Sequence, residues 1–285
     1  MPASSTPPSS SPIPDPSIAF IGGGNMARSL IGGLIARGAD PASLHVAEPV
    51  AELRQALADE FGVDVHAEAA QAAERASMWL FAVKPQVLRG VCESLAAIAA
   101  RSTPLVVSIA AGITSTQLQH WLGTALPVIR AMPNTPALLG AGVTGLFATD
   151  GVDAQGRQRA ETLLSAAGKT VWVADEAQMD AITAVSGSGP AYIFLLAEAM
   201  EAAAIAEGLP AEAARTLTLQ TILGAARMLT EAGEVPAELR RRVTSPGGTT
   251  QAAIETLQAA GFEALVGRAI HAATRRGKEL SAANG

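Results

Sequence analysis

The stretch that decides the fold of this 285-residue chain is SIAFIGGGNMA, which runs from Ser17 to Ala27. Residues 17–21 have the length and apolar character of a buried strand, and the glycines after them match the fingerprint G-x-G-x-x-G/A between a strand and a helix. In this fingerprint Gly22 permits a tight turn, Gly24 lets a pyrophosphate approach the backbone, and Ala27 keeps the helix close to the strand. The helix start offers free N–H groups to an anion. The stretch therefore predicts a dinucleotide site; a glycine-rich turn without a ligand is the alternative.

Short apolar runs and helical patterns alternate after this stretch. The runs lie at 44–47, 77–83, 104–110 and 127–132, and the helical patterns lie at 26–37, 51–60, 86–100 and 114–122. Repeated alternation of strand and helix favours a parallel twisted sheet that is covered by helices on both faces. We therefore predict an α/β Rossmann domain, which binds the dinucleotide, over residues 17–174.

Only helical patterns follow, at 191–206, 210–232, 236–243, 249–260 and 262–280. They predict an all-α C-terminal domain over residues 175–285 that contributes to substrate binding and dimerisation. Within segment 191–206 the only charged residues are Glu198 and Glu201, so most of this helix needs apolar cover. We expect a second copy of the chain to supply that cover; a buried central helix of a monomeric bundle is the alternative.

Composition and charge exclude several classes of protein. The net charge of −6 and the aromatic content of 4% argue against a nucleic-acid partner. Cys92 is the single cysteine, and no uninterrupted apolar run approaches the roughly 18 residues of a membrane span. The Ser/Pro-rich residues 1–16 predict a disordered tail and lack the basic and apolar segments of a signal peptide. We expect a soluble, cytoplasmic protein with neither a membrane nor a nucleic-acid partner.

Glu48 lies where the fingerprint expects an acidic residue, about 20 positions after the glycines. A carboxylate at this place bonds the ribose hydroxyls of NADH and repels the 2′-phosphate of NADPH. Glu48 alone therefore favours NADH, although Arg54 could compensate for the repulsion. A solvated loop glutamate is the alternative, and the expected cofactor is NADPH or NADH.

Two further segments lie at the carboxyl ends of predicted strands, where ligands of open α/β folds bind. They are Ala82-Val83-Lys84-Pro85 and Ala110-Ala111-Gly112. Lys84 is one of only three lysines, and a lysine at a strand end is more informative than one on a helix surface. A plain surface role for Lys84 is the alternative.

The loop TSPGGTT, from Thr244 to Thr250, opens the next-to-last helical pattern. Glycines and threonines at a helix N-terminus expose N–H groups and hydroxyls that suit a carboxylate, so this loop is the predicted substrate site. An ordinary helix cap formed by Thr249 or Thr250 is the alternative. The glycines of SGSGPAY (186–192) allow either a plain turn between helices or a close approach to the nicotinamide or to another helix.

The distribution of histidine and lysine bears on the chemistry. The four histidines are isolated in the sequence, and no Cys/His cluster has metal-ligand spacing, so no metal site is predicted. These histidines are His45, His66, His120 and His271. The helical domain has no lysine before Lys278, whereas a carbonyl reductase needs a general acid. A protonated imine accepts hydride and becomes a neutral amine without such an acid, so the inventory favours C=N chemistry.

Six sequence blocks resemble the pyrroline-5-carboxylate reductase family, and the resemblance extends from about Ile18 to Leu280. The blocks are FIGGGNMA (20–27), AVKP (82–85), SIAAGI (108–113), RAMPNTP (130–136), SGSGPAY (186–192) and VTSPGGTT (243–250). The resemblance implies reduction of 1-pyrroline-5-carboxylate to L-proline by hydride from NAD(P)H, the last step of proline biosynthesis. It also implies a Rossmann domain and a helical domain that interlocks with a second subunit in a homo-oligomer.

The resemblance also implies roles for individual residues. The pyrophosphate is expected at Gly22, Gly24, Asn25, Met26 and Ala27, and the cofactor is expected against Ala82, Val83, Lys84 and Pro85. The substrate carboxylate is expected at Ser245, Gly248, Thr249 and Thr250. The Thr250 hydroxyl is expected at the ring nitrogen, as the catalytic contact, and Asp180 near the same pocket. This chain departs from the family at Glu48, where many relatives carry Asn-Arg or Ser-Arg, and at Arg242, which replaces a smaller polar residue.

Two other functions stay open. A relative of the β-hydroxyacid dehydrogenases would share the two-domain plan, but it needs a catalytic lysine in the first half of the helical domain, which this chain lacks. A dinucleotide-sensing scaffold without turnover would not need the complete SPGGTT loop.

Overall fold

A computed structural model describes residues 17–283, so the predicted disorder of residues 1–16 lies outside the described part of the chain. The chain divides into two compact units. Of the described residues, unit 1 contains 17–187 and 276–283, and unit 2 is Ser188–Arg275. This division lies later in the chain than the predicted domain boundary at 174/175, and residues 276–283 return to unit 1.

Unit 1 is built on one sheet of eight strands in the order β3-β2-β1-β4-β5-β6-β7-β8. The strands are β1 (Ile18–Ile21), β2 (Leu44–Ala47), β3 (Asp64–His66), β4 (Met78–Phe81), β5 (Leu105–Ser108), β6 (Val128–Met132), β7 (Gly142–Ala148) and β8 (Gly168–Trp172). All pairs from β3 to β6 are parallel, and the five predicted strands lie at their predicted places. The α/β Rossmann prediction is thereby confirmed.

The sheet is larger than predicted, and one of its pairs is antiparallel. β7 pairs antiparallel with β6, and β8 pairs parallel with β7. Only residues 133–141 connect β6 to β7, which is too short for the crossover of a dozen or more residues that a parallel pair needs. The predicted parallel sheet is therefore confirmed, and at this edge it is extended by one antiparallel pair.

Helices cover both faces of the sheet. Those of unit 1 are α1 (Asn25–Ala36), α2 (Ala51–Phe61), α3 (Ala69–Ala73), α4 (Pro85–Ser102), α5 (Ser115–Leu122), α6 (Ala154–Ser165) and α7 (Met179–Ile182). Along β1 Phe20 belongs to one buried cluster and its neighbours Ala19 and Ile21 to another, because alternate residues of a strand face opposite sides. Leu30 of α1 packs in the first cluster and Leu88 of α4 in the second.

The described residues of unit 2 form helices and no strands, which confirms the predicted all-α domain. They form α8 (Gly189–Ala206), α9 (Ala211–Glu231), α10 (Pro236–Arg242), α11 (Thr249–Ala259) and most of α12 (Phe262–Ala283). α8 has no buried residue, and Phe194 and Leu195 are 62% and 66% exposed. The alternative in which this helix is the buried centre of a monomeric bundle is therefore wrong.

The segment Glu176–Ala206 also meets the length and composition criteria of a membrane-spanning helix, with a mean hydropathy of 1.3. One such segment is weak evidence for a membrane, because an apolar helix of a soluble protein meets the same criteria. Apolar side chains that a single chain leaves uncovered are equally typical of a contact between subunits.

Candidate functional site

The glycine loop after β1 leads into a helix whose first N–H groups are available to an anion. Gly24 precedes α1 in an extended conformation. Apart from its chain neighbours, no atom of residues 17–283 lies within 4 Å of the place that its Cβ would take. No side chain caps α1, and both Gly24 and Asn25 are exposed. The next residues turn inward, with Met26 half-buried and Ala27 buried. An open approach to uncapped N–H groups fits a pyrophosphate.

The segment that follows β4 lies directly against this loop. Gly22 has a φ of +108°, and a Cβ on it would lie 2.8 Å from the carbonyl oxygen of Ala82 and 3.0 Å from Val83 Cγ1. A side chain at position 22 is therefore excluded both by the backbone conformation and by space. Lys84 is exposed and precedes α4, and half-buried Pro85 opens that helix. The two segments that sequence reasoning assigned to the cofactor are thus neighbours.

The second predicted strand-end segment, Ala110-Ala111-Gly112, packs against the last turns of α12. Ala110 is buried, and Gly112 has a φ of +70°. A Cβ on Gly112 would lie 3.2 Å from Leu280 Cβ, so the last turns of α12 pack closely on this turn within unit 1.

Glu48 bonds the glycine loop with one carboxylate oxygen and the N-cap residue of α2 with the other. Its Oε2 accepts the backbone N–H of Gly23 at 3.0 Å, and its Oε1 accepts that of Val50 at 3.0 Å. The Glu48 N–H is donated to the carbonyl oxygen of His66, and Arg54 Nη1 donates to the carbonyl oxygen of Glu48 at 2.7 Å. Glu48 is only 8% exposed, so the alternative of a solvated loop glutamate is wrong.

Asp180 lies on α7 and faces the end of α12 within unit 1. A Cβ on Gly277 would lie 2.9 Å from Asp180 Oδ1. Burial raises the pKa of Asp180 above its ordinary value; the charges of Arg130 and Lys278 oppose this rise, and the charge of Glu176 adds to it. This carboxyl therefore holds a proton more readily than a solvated aspartate does.

A buried ion pair next to Asp180 was missed by sequence reasoning. Arg130 on β6 is 7% exposed, and its Nη1 lies 2.9 Å from Glu176 Oε1. Glu176 also accepts the backbone N–H and the hydroxyl of Ser115, both at 2.7 Å. The sequence feature that could have revealed this ion pair is an arginine inside an otherwise apolar strand, because a buried guanidinium requires a carboxylate partner.

The loop before α11 in unit 2 has the shape of an anion site with three free N–H donors. Gly248 is the N-cap residue and makes no side-chain cap, so the alternative in which Thr249 or Thr250 caps this helix is wrong. The Gly248 N–H is donated to the carbonyl oxygen of Ser245 at 3.0 Å. Gly248 therefore shapes the turn. Because the first N–H bonded back to Gly248 is that of Ala252, the N–H groups at the helix start that remain for a carboxylate belong to Thr249, Thr250 and Gln251.

Arg242 does not point its charge into this loop. Its Nη1 lies 2.7 Å from Glu234 Oε1 and its Nε lies 3.6 Å from Glu238 Oε1. Arg242 is thus held by two glutamates on the unit 2 surface.

A groove of about 410 Å³ opens beside the same loop. It is lined by Arg240, Arg241, Thr244, Pro246, Gln251, Ile254, Glu255 and Gln258.

The SGSGPAY segment packs tightly at its start. Asn134 Nδ2 donates to the carbonyl oxygen of Ser186 at 3.2 Å. A Cβ on Gly187 would lie 2.6 Å from Met132 Cε, so this glycine allows a close approach within unit 1.

Two of the histidines that are isolated in the sequence meet in space. His45 Nδ1 and His66 Nε2 lie 2.9 Å and 3.1 Å from Asp64 Oδ2, so the expectation that all four histidines stand alone was wrong. Burial raises the pKa of Asp64, but the hydrogen bond from His45 and the charges of His66, His45 and Arg75 outweigh burial, and the net pKa is below its ordinary value.

Family comparisons cover both parts of the chain. Residues 176–280 match the family model described as pyrroline-5-carboxylate reductase dimerisation. Residues 17–112 match the model described as NADP oxidoreductase, coenzyme F420-dependent.

Named relatives are similar over nearly the whole chain. A pyrroline-5-carboxylate reductase of Pseudomonas aeruginosa is 54% identical over 93% of this chain and 97% of its own length. The solved pyrroline-5-carboxylate reductase of Coxiella burnetii has a TM-score of 0.90 at 44% identity and covers 94% of this chain and 99% of its own. The Plasmodium falciparum pyrroline carboxylate reductase, solved with NADP bound, has a TM-score of 0.81 at 25% identity and covers 94% of this chain and 98% of its own.

Proposed function

The chain belongs to the pyrroline-5-carboxylate reductase family, and from this premise we propose which of its residues perform the reaction. The activity is hydride transfer from NAD(P)H to the C=N bond of 1-pyrroline-5-carboxylate, which yields L-proline in the last step of proline biosynthesis. The 54% identity to such a reductase leaves the dehydrogenase and scaffold alternatives without support.

The residues of the glycine loop fit a dinucleotide. The open space at Gly24 and the uncapped start of α1 support a role for Gly22, Gly24, Asn25, Met26 and Ala27 in holding the pyrophosphate. The remaining cofactor contacts are assigned to Ala82, Val83, Lys84, Pro85, Ala110 and Gly112. When bound, the nicotinamide supplies the hydride.

Glu48 makes NADH the proposed preferred cofactor. Its buried carboxylate lies at the end of β2, where the ribose of a dinucleotide is bound in this fold. A fixed negative charge there accepts hydrogen bonds from ribose hydroxyls and repels a 2′-phosphate. Arg54 Nη1 donates to the carbonyl oxygens of Glu48 and Pro49, so this guanidinium is held at the backbone of the segment, and its charge offsets part of the repulsion.

The substrate is assigned to the start of α11. The N–H groups of Thr249 and Thr250, with the Ser245 hydroxyl, hold the substrate carboxylate in the turn that Gly248 shapes. The Thr250 hydroxyl is the catalytic contact, since it orients the ring nitrogen and so aligns the C=N bond. Asp180 is retained as a substrate-binding residue, as the resemblance implies; burial raises the pKa of its carboxyl.

The exposed apolar face of α8 supports a homodimeric or larger assembly built through the helical unit. A cytoplasmic location fits a single, buried cysteine and a small-molecule substrate.

The observation that carries the cofactor proposal is the pair of hydrogen bonds from Gly23 and Val50 to Glu48. The test follows oxidation of NADH and of NADPH in parallel with pyrroline-5-carboxylate. We expect kcat/KM with NADH to equal or exceed that with NADPH. A hundredfold preference for NADPH would contradict the assignment of Glu48, while leaving the reductase activity itself intact.

A further inference from the structure

Three metal-ligating side chains meet at the β2–β3 edge of the sheet. His45 and Asp64 are register partners in the parallel pair, and His66 follows Asp64 by two residues. Residues paired across strands and residues two apart along a strand share one face, so all three side chains project to the same side. Their ligand atoms all lie within 4.8 Å of one another.

The donor set, and two of its three ligand–ligand distances, fit a transition-metal site. Two imidazole nitrogens and a carboxylate oxygen are common ligands of Zn²⁺ and of similar divalent ions. Ligands about 2.0–2.1 Å from one ion are roughly 2.9–3.4 Å apart when they are adjacent in its coordination shell. Asp64 Oδ2 lies 2.9 Å from His45 Nδ1 and 3.1 Å from His66 Nε2, within this range.

The surroundings keep the imidazoles in place and leave one side open. The side chains of His45 and His66 are only 10% and 11% exposed, whereas that of Asp64 is 39% exposed. Among residues 17–283, the one guanidinium in contact with Asp64 is that of Arg75, which is 3.7 Å away on a side chain that is 61% exposed. A contact of this kind is weak and can swing into solvent when a cation arrives.

We propose that His45, Asp64 and His66 bind one divalent transition-metal ion, with water in the open positions. The ion would join the three-residue edge strand β3 to β2 by coordinate bonds. It would also fix the backbone at Glu48, whose N–H is donated to the carbonyl oxygen of His66 at 2.9 Å. This site is separate from the residues assigned to the reaction.

The test titrates tag-free protein with Co²⁺, whose visible absorption reports coordination by protein ligands, and then displaces it with Zn²⁺. We expect one ion per chain, and we expect Zn²⁺ to raise the thermal unfolding temperature. His66→Gln should weaken binding at least tenfold and abolish the thermal shift. The matched control is His120→Gln on α5, where the histidine is exposed and outside the cluster.

His66→Gln protein must first match the wild type in circular dichroism and in metal-free unfolding temperature; if it does not, Asp64→Asn takes its place. Absence of saturable binding at submillimolar Co²⁺ would overturn the proposal. Binding that falls equally in the His66 and His120 variants, or in neither, would also overturn it.

Discussion

Glu48 and Gly23 are joined by a hydrogen bond of 3.0 Å from the Gly23 N–H to Glu48 Oε2, across 25 positions of sequence. The bond ties the end of β2 to the glycine loop after β1. The residue proposed to select the cofactor therefore also shapes the loop proposed to hold its pyrophosphate, and we expect a substitution at Glu48 to change both properties.

Glu48→Gln removes the charge of this residue and keeps its hydrogen bond to the glycine loop, because the amide oxygen can still accept from the Gly23 N–H. The amide NH2 cannot accept, so the bond from the Val50 N–H is lost. We expect the ratio of kcat/KM with NADPH to kcat/KM with NADH to rise roughly ten- to a hundredfold. This corresponds to about 1–3 kcal/mol, the repulsion of the 2′-phosphate that the substitution removes. Glu48→Ser should raise the ratio similarly and weaken both dinucleotides, because the loop loses its acceptor. An unchanged ratio in both variants would contradict the role of the charge.

Thr250→Val removes the hydroxyl at the start of α11 and keeps its volume and backbone. We expect kcat/KM for pyrroline-5-carboxylate to fall by about 1–3 kcal/mol, the usual cost of an unsatisfied polar partner. Dinucleotide affinity should hardly change, since the assigned pyrophosphate residues lie in unit 1. The control is Thr256→Val on the same helix, where the hydroxyl only donates to the carbonyl oxygen of Ala252. Equal losses in the two variants would argue against a specific role for Thr250.

Leu196→Glu tests whether a second copy covers α8. Leu196 is 45% exposed in the single chain. The charge of a glutamate at this position is therefore costly only where a partner subunit buries it. We expect the wild type to be a dimer or larger at micromolar concentration by light scattering, and the variant to dissociate and lose thermal stability. Leu53→Glu in α2, at 48% exposure, should keep the assembly. A well-folded wild-type monomer would refute this prediction.

Two helical glycines differ in the space around them. A Cβ on Gly33 would lie 2.3 Å from the carbonyl oxygen of Ala166, whereas nothing lies within 4 Å of one on Gly90. We expect Gly33→Ala to destabilise the fold by about 1–3 kcal/mol and Gly90→Ala to stabilise it by about 0.5–1 kcal/mol. Chemical denaturation of both variants measures the difference. If both substitutions changed the free energy of unfolding in the same direction, α1 would be packed less tightly on Ala166 than the distance of 2.3 Å requires.

The limits of prediction from the sequence follow from what each residue contacts. β1, β2, β4, β5 and β6 were predictable because each is an apolar run between punctuating residues. β3 has only three residues, and glycines interrupt β7, so neither carries that pattern. The meeting of His45 with His66 arises from strand pairing, which the distance along the chain does not reveal.

The same limit holds at the candidate site. The glycine fingerprint and Glu48 were visible in the sequence because their spacing is fixed by one turn and one strand. That the Gly248 N–H is used by Ser245 depends on the fold of a loop, and so does the pairing of Arg242 with Glu234. Residue types predicted an anion site there, but only the structure shows which donors stay free.

Cys92 should be unreactive in the folded protein. Burial raises the pKa of its thiol to about 12, with a smaller contribution from the charge of Glu93. The folded state thus favours the neutral thiol. Its contribution to the free energy of unfolding is complete below the ordinary thiol pKa and is lost as the pH rises through about 12.

At pH 8 we expect Ellman's reagent to modify Cys92 only as fast as the chain unfolds, because the thiolate is the nucleophile. Ser94→Cys on the exposed face of α4 supplies the control and should react at once. Rapid labelling of the wild-type thiol would show that Cys92 is reached without unfolding, and that α4 opens locally from the sheet.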